Sequence, residues 1–193
     1  MFELRGPPPR AGHPLVVVAV LEEAVAFAHR LPTLVTGVGK VRAATATTWA
    51  GMAHRPSLIL NLGTAGALRP AEMAGGVVHE IGAVLQHDVN GRAIARLVGS
   101  DPSPRIELGD SGVVLATGDR FISSPQDRDA LAERAHLVDM EGYAVAASAA
   151  RLGIPVRLAK TVSDDAGHGA AVTWIESLHS ASRRLATWLD EAL

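Results

Sequence analysis

Leu15-Val16-Val17-Val18-Ala19-Val20-Leu21, followed at once by Glu22-Glu23, is an apolar run with no polar alternation. A strand with one wet face would alternate, so this run reads as a strand covered on both faces by other elements. The same pattern recurs outward from it. Strands are expected at Leu15–Val20, Thr33–Thr36, Ser57–Asn61, Val77–Gln86, Gly112–Ala116, Leu137–Asp139 and Val156–Val162. Between them lie Ala-rich helical stretches at Glu22–Arg30, Val41–His54, Ser124–Arg134, Glu141–Arg151 and Trp174–Leu189. Helix entry signals stand at Ser124 with Asp127, at Asp139 and at Thr173. Strands alternating with helices predict a single α/β domain over residues 14–193, built on a mostly parallel central mixed sheet flanked by helices. Residues 1–13, with Pro7-Pro8-Pro9, read as a flexible leader, and His87–Gly112 as an irregular excursion within the domain.

Composition narrows the function. The 193 residues are 48% hydrophobic and contain no cysteine, which removes disulfide scaffolds, Cys-ligated metals and thiol nucleophiles. Eighteen basic residues against twenty acidic ones leave no electrostatic footprint for nucleic acid or an anionic membrane, so the expected partner is a small molecule. The longest strongly apolar run, Leu15–Leu21, is too short to span a bilayer and lacks a cleavage site, and a cytoplasmic location is expected.

Short motifs mostly exclude. Gly37-Val38-Gly39-Lys40 invites a phosphate-loop reading, yet Leu34, Val41 and Arg42 stand where the known fingerprints need Gly, Ser or Thr, and Gly. The plain alternative is a tight turn into the following helix. His79-Glu80 has no second histidine at zinc-binding spacing, and no serine sits in a G-x-S-x-G elbow. More telling are the residues just past the expected strands: Glu22-Glu23, Gly63-Thr64-Ala65-Gly66, Gly118-Asp119-Arg120-Phe121-Ile122, Asp139-Met140-Glu141-Gly142 and Ser163-Asp164-Asp165. Any one of these is explained by a helix start or a turn. Together at one sheet edge they supply carboxylates, hydroxyls and aromatics suited to a polyol joined to a flat heterocycle, which is a nucleoside.

These segments carry a resemblance. With Thr36-Gly37-Val38-Gly39-Lys40-Val41, Asn61-Leu62-Gly63-Thr64-Ala65-Gly66-Ala67, Ala116-Thr117-Gly118-Asp119-Arg120-Phe121-Ile122, Val138-Asp139-Met140-Glu141-Gly142 and Val162-Ser163-Asp164, the chain resembles the nucleoside phosphorylase superfamily. Within it, the chain is most similar to the branch of 5'-methylthioadenosine/S-adenosylhomocysteine nucleosidases and futalosine hydrolases. The resemblance implies the superfamily's fold and hydrolysis of a purine-type nucleoside to free base and sugar, with no metal or organic cofactor. It also implies a homodimer.

It further implies roles. Glu141 would hold the ribose hydroxyls, Met140 would pack under the sugar, and Phe121 would stack on the base beside Ile122. Asp164, next to Ser163, would be the acid at the base, Thr64 would lie near the nucleophile, and Trp174 would close over the base. For the residue that activates water, an ungapped match points to Ala24; a turn one residue shorter would bring in Glu23 and leave Glu22 facing solvent. Arginines that phosphate-using members carry are replaced here by Val20-Leu21 and Asn61, which favours hydrolysis over phosphorolysis. A phosphorylase, a futalosine-type hydrolase and a catalytically weak nucleoside binder remain the alternatives.

Overall fold

The computed structural model describes residues 2–193. The chain runs β1 (Glu3–Arg5), β2 (Leu15–Val18), a 3-10 turn (Leu21–Glu23), β3 (Thr33–Val35), α1 (Lys40–His54), β4 (Ile59–Ala67), β5 (Val78–Glu80) and β6 (Ala83–Gln86). It continues through α2 (Gly91–Val98), β7 (Ile106–Glu107), β8 (Val114–Thr117), α3 (Pro125–Ala132), β9 (Leu137–Asp139), α4 (Gly142–Leu152), β10 (Val156–Asp164) and α5 (Ala170–Ala192). The result is a single α/β domain on a mixed, mostly parallel sheet. Its centre is β4, whose nine residues are all buried. One stretch of β4 pairs in parallel with β2, its last two residues pair antiparallel with β9, and β10 follows it in parallel along its length.

Both faces of this sheet are covered, as the unbroken apolar runs require. In β2, Val16 and Val18 join Phe27, Leu60, Leu62, Leu185 and Leu189 on the α5 side. Leu15 and Val17 point the other way, into a layer of Ala43, Ala46, Ala50, Ala144, Val145 and Ala149 from α1 and α4. The alanines let those two helices lie close to the sheet. Helix α3 begins as its sequence signals: the Ser124 hydroxyl accepts from the Asp127 amide at 3.2 Å and donates to the Asp127 carboxylate at 3.0 Å.

Several expectations are corrected. The stretch Glu22–Arg30 is not a helix beyond the Leu21–Glu23 turn. Its side chain and backbone groups are taken by distant partners: Glu23 by Thr64, and the Ala26 amide by the Ser182 hydroxyl of α5 at 3.0 Å. The remaining amides make short-range turns, such as Ala24 to Leu21 and Phe27 to Ala24. Within residues 1–13, of which Met1 lies outside the described residues, Glu3–Arg5 is a strand pairing antiparallel with β3, and the Phe2 ring packs 4.8 Å from that of Trp49. The loose composition begins only after it. The expected strand Val77–Gln86 is two strands, because the chain changes partners at Gly82: β5 pairs with β10 and β6 with β8. The excursion holds helix α2, capped by Asn90, whose side chain accepts from the Ala93 amide. Helix α5 starts after Gly169, so Thr173 is not its cap.

Phe27 is wholly buried in the segment that replaces the expected helix. Phe27→Ala should lower the unfolding free energy by about 3–5 kcal/mol, seen as a lower urea midpoint at unchanged slope. A near-wild-type midpoint would show that this segment is not packed against α5.

Candidate active site

Nine of the residues given site roles in the sequence line one cavity: Glu23, Thr64, Phe121, Ile122, Met140, Glu141, Ser163, Asp164 and Trp174. Ala19, Val38, Ala65, Gly66, Arg120, Val138 and Asp139 complete the wall. The cavity opens where β9 and β10 end and the middle of β4 passes beneath, the place where α/β sheets collect ligands.

On one side, the 3-10 turn after β2 puts Glu23 inward, 3% exposed, and leaves Glu22 at the surface. Ala24 is buried among core side chains. Four donors converge on the Glu23 carboxylate: the Thr64 amide at 2.8 Å and hydroxyl at 2.7 Å on Oε1, and the Ala19 and Val20 amides at 3.2 and 3.4 Å on Oε2. Such close approach needs Gly63, where an added Cβ would stand 3.0 Å from Glu23 Oε1.

Opposite it, the register of β10 on β4 slips between Val162 and Asp164, a bulge that re-aims the strand end. Asp164 accepts from the Ser163 hydroxyl at 2.7 Å on one oxygen and from the Ala166 amide at 2.9 Å on the other. The second bond closes a tight turn in which buried Ala166 takes a left-handed φ of 52°, a conformation that alanine adopts only under constraint. Asp164 therefore caps no helix. Burial, aided by Asp165, pushes its carboxyl above the usual range, while the two hydrogen bonds work the other way. Gly66 leaves the room, since a Cβ there would come within 3.0 Å of Asp164 Oδ1.

The third corner is Glu141. The Gly39 amide donates to its Oε1 at 2.7 Å, and the next amide, that of Lys40, donates to Asp119 at 2.7 Å. The Gly37–Lys40 turn thus directs the N-terminus of α1 at two carboxylates and not at a phosphate. Gly39 has a φ of 103°, which a side chain rarely tolerates. Burial first, and then the Asp139 charge, push Glu141 up to about 8; Lys160 and the Gly39 amide oppose them.

Lys160 is the residue that motif reading misses. It is 2% exposed on β10, and its Nζ lies 3.0 Å from Asp139 Oδ2. Burial works against its charge, but Asp139, Glu141 and Glu23 outweigh that and hold it above the usual lysine range. Asp139 also accepts from the Thr117 hydroxyl at 2.6 Å and the Gly142 amide at 2.9 Å. A signal was present: a lysine inside an apolar strand buried on both faces must have a buried acid partner. Asn61, at the expected place of a phosphate-binding arginine, is buried and donates to the Val17 carbonyl at 3.1 Å, away from the cavity. Arg120 is the one cationic residue of the cavity wall among the described residues, and it turns outward to Asp127 at 3.0 Å.

Known proteins resemble the chain in sequence and in fold. The chain is 29% identical over 175 residues to the 5'-methylthioadenosine/S-adenosylhomocysteine nucleosidase of Oceanobacillus iheyensis, covering 79% of this chain and 76% of that protein. It is 28% identical over 183 residues to the enzyme of the same name from Marinomonas, covering 83% and 79%. The fold superposes on the Streptococcus pneumoniae MTA/SAH nucleosidase in complex with 8-aminoadenine with a TM-score of 0.80 at 23% identity, covering 92% and 96% of the two chains. It superposes equally on the Helicobacter pylori futalosine hydrolase, with a TM-score of 0.80 at 21% identity and coverage of 94% and 98%. The sequence profile of the Phosphorylase superfamily matches residues 27–108 and 110–193, and the chain belongs to that superfamily.

Proposed function

We propose that this protein is a purine nucleosidase that hydrolyses the N-glycosidic bond of a 5'-methylthioadenosine/S-adenosylhomocysteine-like nucleoside to free base and sugar. Breaking that bond builds positive charge on the sugar and negative charge on the leaving base. The reaction needs an acid at the base, acceptors around the sugar and a base for water. Asp164, whose carboxyl burial pushes above its usual range, gives its proton to the purine as the C1'–N bond breaks. Glu141 accepts from the ribose hydroxyls, and Met140 packs under the sugar. Phe121 stacks on the base beside Ile122, with Ser163 steadying Asp164. Water beside Thr64 adds to C1' and passes a proton to Glu23.

The observation that carries hydrolysis over phosphorolysis is the Glu23 carboxylate bonded to Thr64 inside the cavity. A carboxylate there would repel a phosphate dianion and suit neutral water. Base release should therefore run at full rate in phosphate-free buffer and yield free sugar. Strict dependence on phosphate, with sugar 1-phosphate as product, would sink the nucleosidase reading; tight nucleoside binding with no base release would make the protein a binder.

Asp164→Asn keeps size and most hydrogen bonding and should cost on the order of 10²-fold or more in kcat, with base binding changed far less. In the wild type, turnover should fall as pH rises through the raised pKa of Asp164, because the proton to be donated is then gone. That alkaline limb should vanish in the variant. Near-normal kcat for Asp164→Asn would reduce the residue to a turn-maker.

A homodimer and a cytoplasmic location belong to the same reading. The dimer is supported by apolar side chains at the surface of α1, with Val41 76% and Met52 66% exposed, and of α2, with Leu97 84% and Val98 66% exposed. Light scattering should give about twice the 20.1 kDa chain mass; a single-chain mass at micromolar protein would retire the dimer.

A further inference from the structure

The geometry points to Trp174 as a positioning residue for Glu23, acting through the Thr64 hydroxyl, so that the seating of the first turns of α5 over the cavity aligns the carboxylate that activates water. The inference rests on the role given to Glu23 under the proposed function. Its basis is a chain of two hydrogen bonds. The Trp174 indole Nε1–H donates to Thr64 Oγ1 at 2.9 Å, and Thr64 Oγ1 donates to Glu23 Oε1 at 2.7 Å.

The direction of this chain is forced. An indole N–H can only donate, whereas a threonine hydroxyl has one proton and two lone pairs. With Trp174 occupying a lone pair, the Thr64 proton is turned toward Glu23. Each bond polarises the next, so the second is strengthened by the first. Glu23 depends on it, because its other oxygen is held only by the longer contacts to the Ala19 and Val20 amides. Without the indole, the Thr64 hydroxyl loses the partner that fixes its orientation, and its bond to Glu23 Oε1 is weakened while the Thr64 amide stays in place.

Trp174 also anchors the start of α5. Helix α5 begins after Gly169, and its neighbours Val172 and Ile175 are 62% and 63% exposed, so this end of the helix is thinly covered. The bond to Thr64 ties it to the strand that floors the cavity, 110 residues away in sequence. A phenylalanine would fill the same wall without making this tie.

The test combines Trp174→Phe, Thr64→Val and the double variant, each checked for an unchanged thermal midpoint. Trp174→Phe should lower kcat for nucleoside hydrolysis about tenfold, the scale of one lost hydrogen bond, with KM and the affinity for the free base changed less than about twofold. In the Thr64→Val background it should lower kcat no further. An equal loss in that background, or an effect carried by KM and base affinity, would make Trp174 a stacking wall only. A second readout needs no turnover, and so separates failure of this inference from failure of the nucleosidase reading. The chain has three tryptophans, and Trp174→Phe identifies which indole N–H resonance is its own. Thr64→Val should move that resonance and speed its exchange with water, and Glu23→Gln should move it as well, although Glu23 is one bond further along the chain. A Trp174 resonance indifferent to both substitutions would overturn the inference.

Discussion

A lysine and a carboxylate, each 2% exposed and 3.0 Å apart, hold the site together: Lys160 from β10 and Asp139 from β9. Ion pairs so deeply buried give little net stability against a well-packed apolar pair, yet removing one partner typically costs about 3–5 kcal/mol because the other charge is stranded. Their value is arrangement. Asp139 also takes the Thr117 hydroxyl from β8 and the Gly142 amide at the start of α4, so one carboxylate ties three strands and a helix at the point where Glu141 turns into the cavity. The Thr117 hydroxyl in turn accepts from the Tyr143 amide at 2.9 Å, which fixes the first turn of α4. The pair thus fixes the strand end and helix start from which Glu141 projects, while the Gly39 amide holds its carboxylate.

The pair also shapes the field inside the cavity. Glu23, Asp139 and Glu141 surround a single buried ammonium, so carboxylates outnumber cations around Lys160. A neutral ligand that develops positive charge on its sugar is favoured in such a field, and a phosphate dianion is not. The glycines of β4 make the arrangement possible: Gly63 and Gly66 give up their side chains where Glu23 and Asp164 press against the strand. Strand, glycine spacing and carboxylates are one construction, with β4 as its floor.

Much of this was legible in the sequence. Unbroken apolar runs gave away strands covered on both faces, and acids just past those runs marked the site, because both signals are local and survive without knowledge of partners. The illegible parts depended on partners remote in the chain. Residues 22–30 have helical composition, but the Ala26 amide is claimed by Ser182 and Glu23 by Thr64, and no local pattern announces that competition. Phe2–Arg5 are ordered by β3 and Trp49, not by their own composition. The Gly37–Lys40 turn was seen but not its purpose, since an amide aimed at Glu141 looks in sequence like an amide aimed at phosphate. Lys160 lay in plain sight within Val156–Val162 and needed only the question of what could neutralise it there.

The two raised carboxyls, Glu141 and Asp164, are raised by the same cause, burial, but differ in what stands beside them. Near Asp164 there are hydrogen bonds from Ser163 and Ala166 and a like charge at Asp165, with no cation among the groups that shift it. Near Glu141 there is Lys160, and a ribose would bring two more donors. Under the proposed function, a sugar at Glu141 would favour its ionised form, because hydroxyls donating to a carboxylate stabilise its charge, whereas a purine offering a lone pair to Asp164 would favour the protonated form there. In that reading one cavity would hold an acid and an anion at the same pH, separated not by intrinsic acidity but by which end of the ligand each one meets.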